Sequence, residues 1–160
     1  MGAGCKGVFA GVGALKLFDL SFPPEEPAAE TVPWRPMPVG TMPDKPWLLD
    51  LLALWPGEQR VAYLRTAVWS ETARDFSLET GSDDGQKLWW NGEVVLAHNV
   101  ARAVTPGQEK VVVHAKAGWN RLLFKVTQNN QGWAACARFT NPDGTPVSGL
   151  RFALPSTLKP

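Results

Sequence analysis

The chain has 160 residues, with 16 Lys or Arg against 15 Asp or Glu and a formal charge of +1. That length corresponds to about one domain, able to bury roughly two-thirds of its unfolded surface without needing a metal or a disulfide merely to fold. The even charge balance provides no broad field for nucleic acid or anionic lipid, and no apolar run approaches the ~20 residues of a membrane span, so neither partner is expected.

The 15 Gly and 14 Pro suit many turns between short strands. Tryptophan is abundant, with 8 Trp against 1 Tyr. Such rings fill sandwich cores, and they also make flat platforms for ligands.

In chain order, GAGCKG at residues 2–7 matches a dinucleotide-binding spacing. It lacks the preceding strand and following helix that give that spacing its chemistry, and is set aside. Residues 19–47 are proline-rich, which excludes a central strand or regular helix there. Trp34 and Trp47 within this stretch suggest that it is pinned across a core. LLDLLALW (48–55) is the only segment with helical character, and Asp50 and the Pro56-Gly57 stop allow it two turns at most or else an irregular strand. The whole of 1–160 is read as one module, with an irregular lead-in over 19–59 and the main strands over 60–154.

From Arg60 the pattern becomes short strands separated by turn signals: 61–69, 74–80, 87–90, 93–98, 110–116, 120–128, 133–139 and 150–154. Phe76, Leu78 and Thr80 alternate onto one face. Asn91-Gly92 is a type I′ hairpin signal, since both central positions need positive φ. A two-residue turn there sets Trp90 opposite Glu93, Trp89 opposite Val94 and Leu88 opposite Val95. Adjacent strand residues point opposite ways, so Leu88 and Trp90 belong to the core face and Trp89 to the other. Strands without intervening helices predict an all-β antiparallel sandwich or barrel.

Two segments carry polar chemistry. In GSDDG (81–85), Asp83 and Asp84 either shape the turn by bonding backbone amides or ligate calcium, with loop carbonyls and water completing the shell. In QNNQGW (128–133), the amides of Gln128, Asn129, Asn130 and Gln131 suit sugar hydroxyls. Trp133 is then a stacking ring or a core residue. Trp69 and Trp89 are the candidates for exposed aromatic surface. Adjacent carboxylates on one turn do not flank a bond as a glycosidase requires, and His98 and His114 lack a catalytic or metal-binding partner at recognisable spacing. The two histidines are expected on strand surfaces or bonded to backbone, and the chain is not expected to be an enzyme. Cys5 and Cys136 leave open a disulfide between the ends of the chain or a buried free thiol at Cys136.

LFDLSFPPE (17–25), VAYLRTAV (61–68), GSDDGQKLWWNGEVV (81–95), AGWNRLLFKVTQ (117–128) and GWAACARF (132–139) together resemble a bacterial jelly-roll, galactose-binding-like module appended to secreted glycoside hydrolases and related multidomain proteins. The SDDG-to-NG part is also similar to the protective-antigen-type domain of yeast flocculin lectins. In that domain an Asp-Asp pair joined by a cis peptide holds calcium, and calcium holds a sugar; by position the pair is Asp83 and Asp84. No further Asn or Asp ligand is matched here, and of the first strand's closing Gly-Pro-Phe only Gly7-Val8-Phe9 remains. The resemblance implies a noncatalytic carbohydrate-binding module, extracellular or periplasmic, that keeps a parent glycoside hydrolase near a polysaccharide or oligosaccharide. The alternative is a structural module packing against a neighbouring domain through Trp34, Trp47 and Trp55.

Overall fold

The computed structural model describes residues 4–5, 9–10, 14–26, 32–38, 40 and 42–155, with the Gly7-Val8 remnant and the side chains of 4, 5, 9, 10, 14 and 15 outside that description. Among the described residues twelve strands are formed: β1 (Gly4–Cys5), β2 (Phe9–Ala10), β3 (Arg35–Pro36), β4 (Leu49–Asp50), β5 (Arg60–Ser70), β6 (Arg74–Asp83), β7 (Gln86–Trp90), β8 (Glu93–His98), β9 (Glu109–Ala115), β10 (Gly118–Gln128), β11 (Ala134–Thr140) and β12 (Leu150–Ala153). They make an antiparallel β-sandwich. The larger sheet runs β3-β1-β5-β10-β7-β8, with β12 and β2 also paired to β5, and the smaller runs β4-β11-β6-β9.

Alternation decides what the two sheets share. Ala62, Leu64 and Val68 of β5, Leu122, Phe124 and Val126 of β10, and Leu88 and Trp90 of β7 face inward from the larger sheet. Phe76 and Leu78 of β6, Val113 of β9 and Phe139 of β11 meet them from the smaller one. Trp90 satisfies its indole N–H by donating to His114 O at 2.9 Å. The adjacent tryptophans do point to opposite faces: Trp90 is buried and Trp89 half-buried.

The hairpin register holds at the turn and then departs from expectation. Trp90 pairs with Glu93 and Trp89 with Val94, but a bulge follows and Leu88 pairs with Leu96, not Val95. The extra residue in β8 lets the strand twist away at the sheet edge.

The lead-in is more regular than its prolines imply. It holds β3, β4 and a 3-10 turn at Pro23–Glu25, and a helix, α1 (Ala14–Asp19), runs into it from the N-terminal side. The expectation that only 48–55 has helical character is therefore corrected; α1 forms because Leu17 and Phe18 find cover on the larger sheet's outer face, over β5 and β10. In the 48–55 stretch a single turn, α2 (Leu51–Leu54), forms behind β4, capped by Asp50 accepting from Ala53 N at 3.0 Å. The α1-to-turn strap is locked by Lys125, whose Nζ lies 3.0 Å from Phe18 O, 2.6 Å from Leu20 O and 2.8 Å from Glu25 Oε1. Tyr63 donates its hydroxyl to the same Glu25 carboxylate.

Cys136 is a free, buried thiol on β11 in the smaller sheet, whereas the Cys5 backbone lies in the larger sheet. Burial pushes the Cys136 thiol up to about 11, keeping it protonated and unreactive at neutral pH.

Candidate functional site: the Asp83 edge

β6 ends at Asp83 in the smaller sheet and β7 begins at Gln86 in the larger one, so Asp83 to Gly85 is the crossing at one end of the sandwich. The peptide bond between Asp83 and Asp84 is cis, the arrangement implied for that pair by the lectin-type resemblance. The two carboxylates then part company.

Asp84 is buried and its charge is spent on backbone. Oδ1 accepts from Arg102 N at 3.0 Å and Oδ2 from Asn129 N at 2.6 Å, while Asp84 N donates to Thr127 O at 2.8 Å. This is the amide-bonding role of a turn aspartate, extended to two loops at once. Asp83 is half-buried, and its carboxylate accepts no hydrogen bond from the described residues. Burial first, and the neighbouring Asp84 charge second, push its carboxyl up to about 6.

The amide loop lies beside it. A Cβ placed on Gly132 would come within 2.4 Å of Asp83 Oδ2, so the carboxylate rests directly against that glycine. Gln131, at φ 63°, turns the chain back, Asn129 O accepts from Gln59 N at 3.0 Å, and Trp133 O accepts from Leu51 N and Leu52 N at 3.0 Å. Asn130 and Gln131 are exposed and Asn129 half-buried. SDDG and QNNQGW, far apart in sequence, thus form one edge.

Four members of the predicted set do not reach it, two of them from the amide segment itself. Gln128 is fully buried on the inner face of β10, and Trp133, 1% exposed, packs on Trp55 at 6.4 Å between ring centroids. Neither presents surface to a ligand, which corrects the expectation of direct sugar contact. The pleat of β10 turns Gln128 inward, and Trp133, just ahead of β11, is buried by its packing on Trp55. Trp69 and Trp89 lie elsewhere, on the outer face of the larger sheet. Trp69 pairs with Trp119 at the Gly118 end of β10, the end opposite the amide loop.

Arg102 supports the edge from the 99–108 loop. Besides its amide, its guanidinium reaches Ser82 O and Oγ at 3.3 Å and Glu109 Oε1 at 2.7 Å. Arg102 holds the Glu109 carboxyl below the usual carboxylate range, helped by His98 against an opposing effect of burial. The histidines are on strand surfaces, bound to carboxylates and not backbone: His98 Nδ1 to Glu109 at 2.5 Å and His114 Nδ1 to Asp75 at 2.7 Å. Gly81 and Gly132 were not legible as site-forming positions. The only signal for either was a glycine beside a polar cluster.

Among the described residues, no group of three or more His, Cys, Asp or Glu is placed to hold a metal, and no helix is long and apolar enough to cross a membrane.

No family model matches the chain, and no curated protein matches it. Several solved structures are similar in part. A PA14 domain of the MpAFP antifreeze protein superposes with a TM-score of 0.47 at 13% identity, over 54% of this chain and 46% of that one. A PA14 sugar-binding domain from an RTX adhesin gives 0.36 at 16% identity, over 60% and 48%. A β-glucosidase from Kluyveromyces marxianus, solved with glucose, gives 0.43 at 9% identity, over 51% and 10%. The chain spans less than half of each of these structures.

Proposed function

We propose that this protein is a noncatalytic carbohydrate-binding module whose ligand edge is Asp83 with the Asn129–Gln131 loop. The observation that carries the reading is the placement of the unbonded Asp83 carboxylate against Gly132, beside exposed amides. A carboxylate held above its ordinary pKa by burial and a like charge is one that a cation relieves. Calcium takes 6–8 oxygens, so Asp83, with Asp84 behind it, supplies only part of a shell. Loop carbonyls, side-chain amides and water supply the remainder, and sugar hydroxyls replace water when ligand binds. Asp83 and Asp84 are neighbours on one turn and do not face each other across a bond as the carboxylates of a glycosidase do, so the chemistry proposed for the edge is binding. A parent glycoside hydrolase and an extracellular or periplasmic setting remain part of the same proposal.

The test is a screen against soluble oligosaccharides and insoluble polysaccharides, with calcium and with chelator. Calcium-dependent retention on one glycan class, lost in Asp83→Asn, supports the reading. Retention indifferent to both calcium and Asp83 relocates the site, and no retention at all favours the structural, domain-packing alternative.

A further inference from the structure

The outer face of the larger sheet has a composition unlike the rest of the surface. Reading outward positions across β12, β5, β10 and β7, the rows are Arg151–Trp69–Trp119, then Ala153–Ala67–Arg121, then Arg65–Leu123–Trp89, then Tyr63–Lys125–Lys87. No strand residue in these rows is Asp or Glu. The smaller sheet's outer face, by contrast, mixes signs: Glu79 with Arg138 and Lys110, and Asp75 with His114. The strap covers the Tyr63–Lys125 end and supplies Glu25 to Lys125. The strap stops short of the rows from Arg151 to Trp89, and in the third of them Trp34 lies over Arg65 with its ring centroid 4.2 Å from Cζ.

On these rows two cations, Arg151 and Lys87, rest on rings. Arg151 Cζ lies 4.6 Å from the Trp69 ring centroid and Lys87 Nζ lies 5.2 Å from that of Trp89. Trp69 meets Trp119 edge-to-face at 5.4 Å. Neither Arg151 nor Lys87 has an ion-pair partner among the described residues. A ring face accepts no in-line hydrogen bond from these N–H donors, whereas a carboxylate oxygen does. An incoming carboxylate therefore draws each cation off its ring and uncovers an indole face for the sugar that carries it.

We infer that this face binds an anionic polysaccharide, a chain of uronate sugars, at a site separate from the Asp83 edge; the inference rests on the carbohydrate-binding reading of the module. Size argues against a protein partner. Trp119 to Leu123 is ~14 Å at ~3.4 Å per residue, and β12 to β7 is ~14 Å at ~4.8 Å per strand. The resulting ~200 Å² is far short of the ~800 Å² that one side of a standard protein interface covers. Single-stranded nucleic acid gains its affinity from bases stacked on open rings along a continuous basic groove. Here Trp69 and Trp119 meet edge-to-face, Trp89 stands two rows away from them, and the chain as a whole carries only +1.

The experiment is affinity electrophoresis of the intact chain through gels containing polygalacturonate, neutral dextran or single-stranded DNA, all with chelator present. We expect retardation by polygalacturonate and not by dextran, weakened about tenfold or more in Arg151→Gln and in Trp89→Ala, a loss of at least one strong contact. Asp83→Asn should leave it unchanged, which separates this site from the calcium edge and its failure from the failure of that reading. Thermal melts of the two surface variants control for folding. No retardation by polygalacturonate overturns the inference. So does equal or stronger retardation by DNA, or retardation that survives Trp89→Ala, since either reduces the face to general electrostatics.

Discussion

Asn91 Nδ2 donates to Asn120 Oδ1 at 2.9 Å, joining the tip of the β7–β8 hairpin to the start of β10. Asn120 is fully buried, and all of its amide is in use. Its Oδ1 also accepts from Lys116 N at 3.0 Å, and its Nδ2 faces Lys116 O at 2.9 Å and Gly118 O at 3.2 Å. Asn91 Oδ1 in turn accepts from Arg121 N at 2.9 Å. One side chain thus fixes two turns. Asn120→Ala leaves backbone groups of the second turn unpaired, and a loss of roughly 2–4 kcal/mol is expected from such unsatisfied groups. Urea denaturation measures it; a loss under ~1 kcal/mol shows that water replaces the side chain.

Asp83 makes stability depend on pH in an unusual direction. Its folded pKa, about 6, is above the ordinary 3.8, so folding disfavours the charged form. The sign follows: its favourable contribution is complete below pH ~4 and is lost as pH rises through ~6. Asp83→Asn should therefore raise the stability at pH 7.5 by about 1 kcal/mol once solvent screening of this half-buried group is allowed for, seen as a higher melting temperature, and leave it unchanged near pH 3.5. A variant that is destabilised at pH 7.5 refutes the unbonded-carboxylate description.

Calcium should act on the same proton. Binding needs the carboxylate ionised, so the stabilisation by millimolar calcium should be present at pH 7.5 and fade below pH ~6. Gly132→Ala should abolish it with little loss of stability. The added methyl displaces the end of a flexible side chain, not backbone. Melting curves with calcium and with chelator decide the matter.

Gly81 is the opposite case. A Cβ there meets Thr105 O at 2.1 Å and Cys136 Sγ at 3.0 Å, so the obstacle is the backbone of the 99–108 loop. Gly81→Ala is expected to cost several kcal/mol or to free that loop, because overpacking against fixed backbone has no cheap relief. Protease cleavage within 99–108 reports loop release.

Lys125 is 0% exposed in its side chain and paired with Glu25 at 2.8 Å. Lys125→Met leaves Glu25 buried against uncompensated neighbours, a loss of about 3–5 kcal/mol by the behaviour of broken buried pairs. The double variant Lys125→Met with Glu25→Gln should recover part of it. Hydrogen exchange in 14–26 should quicken in the single variant first.

The main strands were legible because their physics is local. Phe76, Leu78 and Thr80 alternate, Asn91-Gly92 accepts positive φ, and the eight longer strands follow. The bulge that moves Leu88 onto Leu96 was not legible, since nothing in EVVLAH marks where β8 yields to the twist of its partner. Helix α1 was hidden for a different reason. Its stability comes from Leu17 and Phe18 meeting a sheet built from residues 60 to 128, which no local window contains. For the candidate site, the right segments were visible but not their meeting. Composition marked Trp133 and Gln128 as ligand-like, whereas the pleat of β10 turned Gln128 inward and packing on the distant Trp55 buried Trp133.

One edge of β5 is closed by three separate pieces: β12 against Ala67–Ser70, β1 against Leu64–Arg65 and β2 against Arg60–Val61. β5 is 11 residues long, rich in strand formers, and paired on its other side along its whole length. Uncovered, it would offer a long row of unpaired amides and carbonyls to any passing strand, the template from which intermolecular sheets grow. Segments from both sides of the main sequence are needed to hide it. Trimming either β1–β2 or β12 therefore endangers the protein less by loosening its core than by turning each copy into a seed for the next.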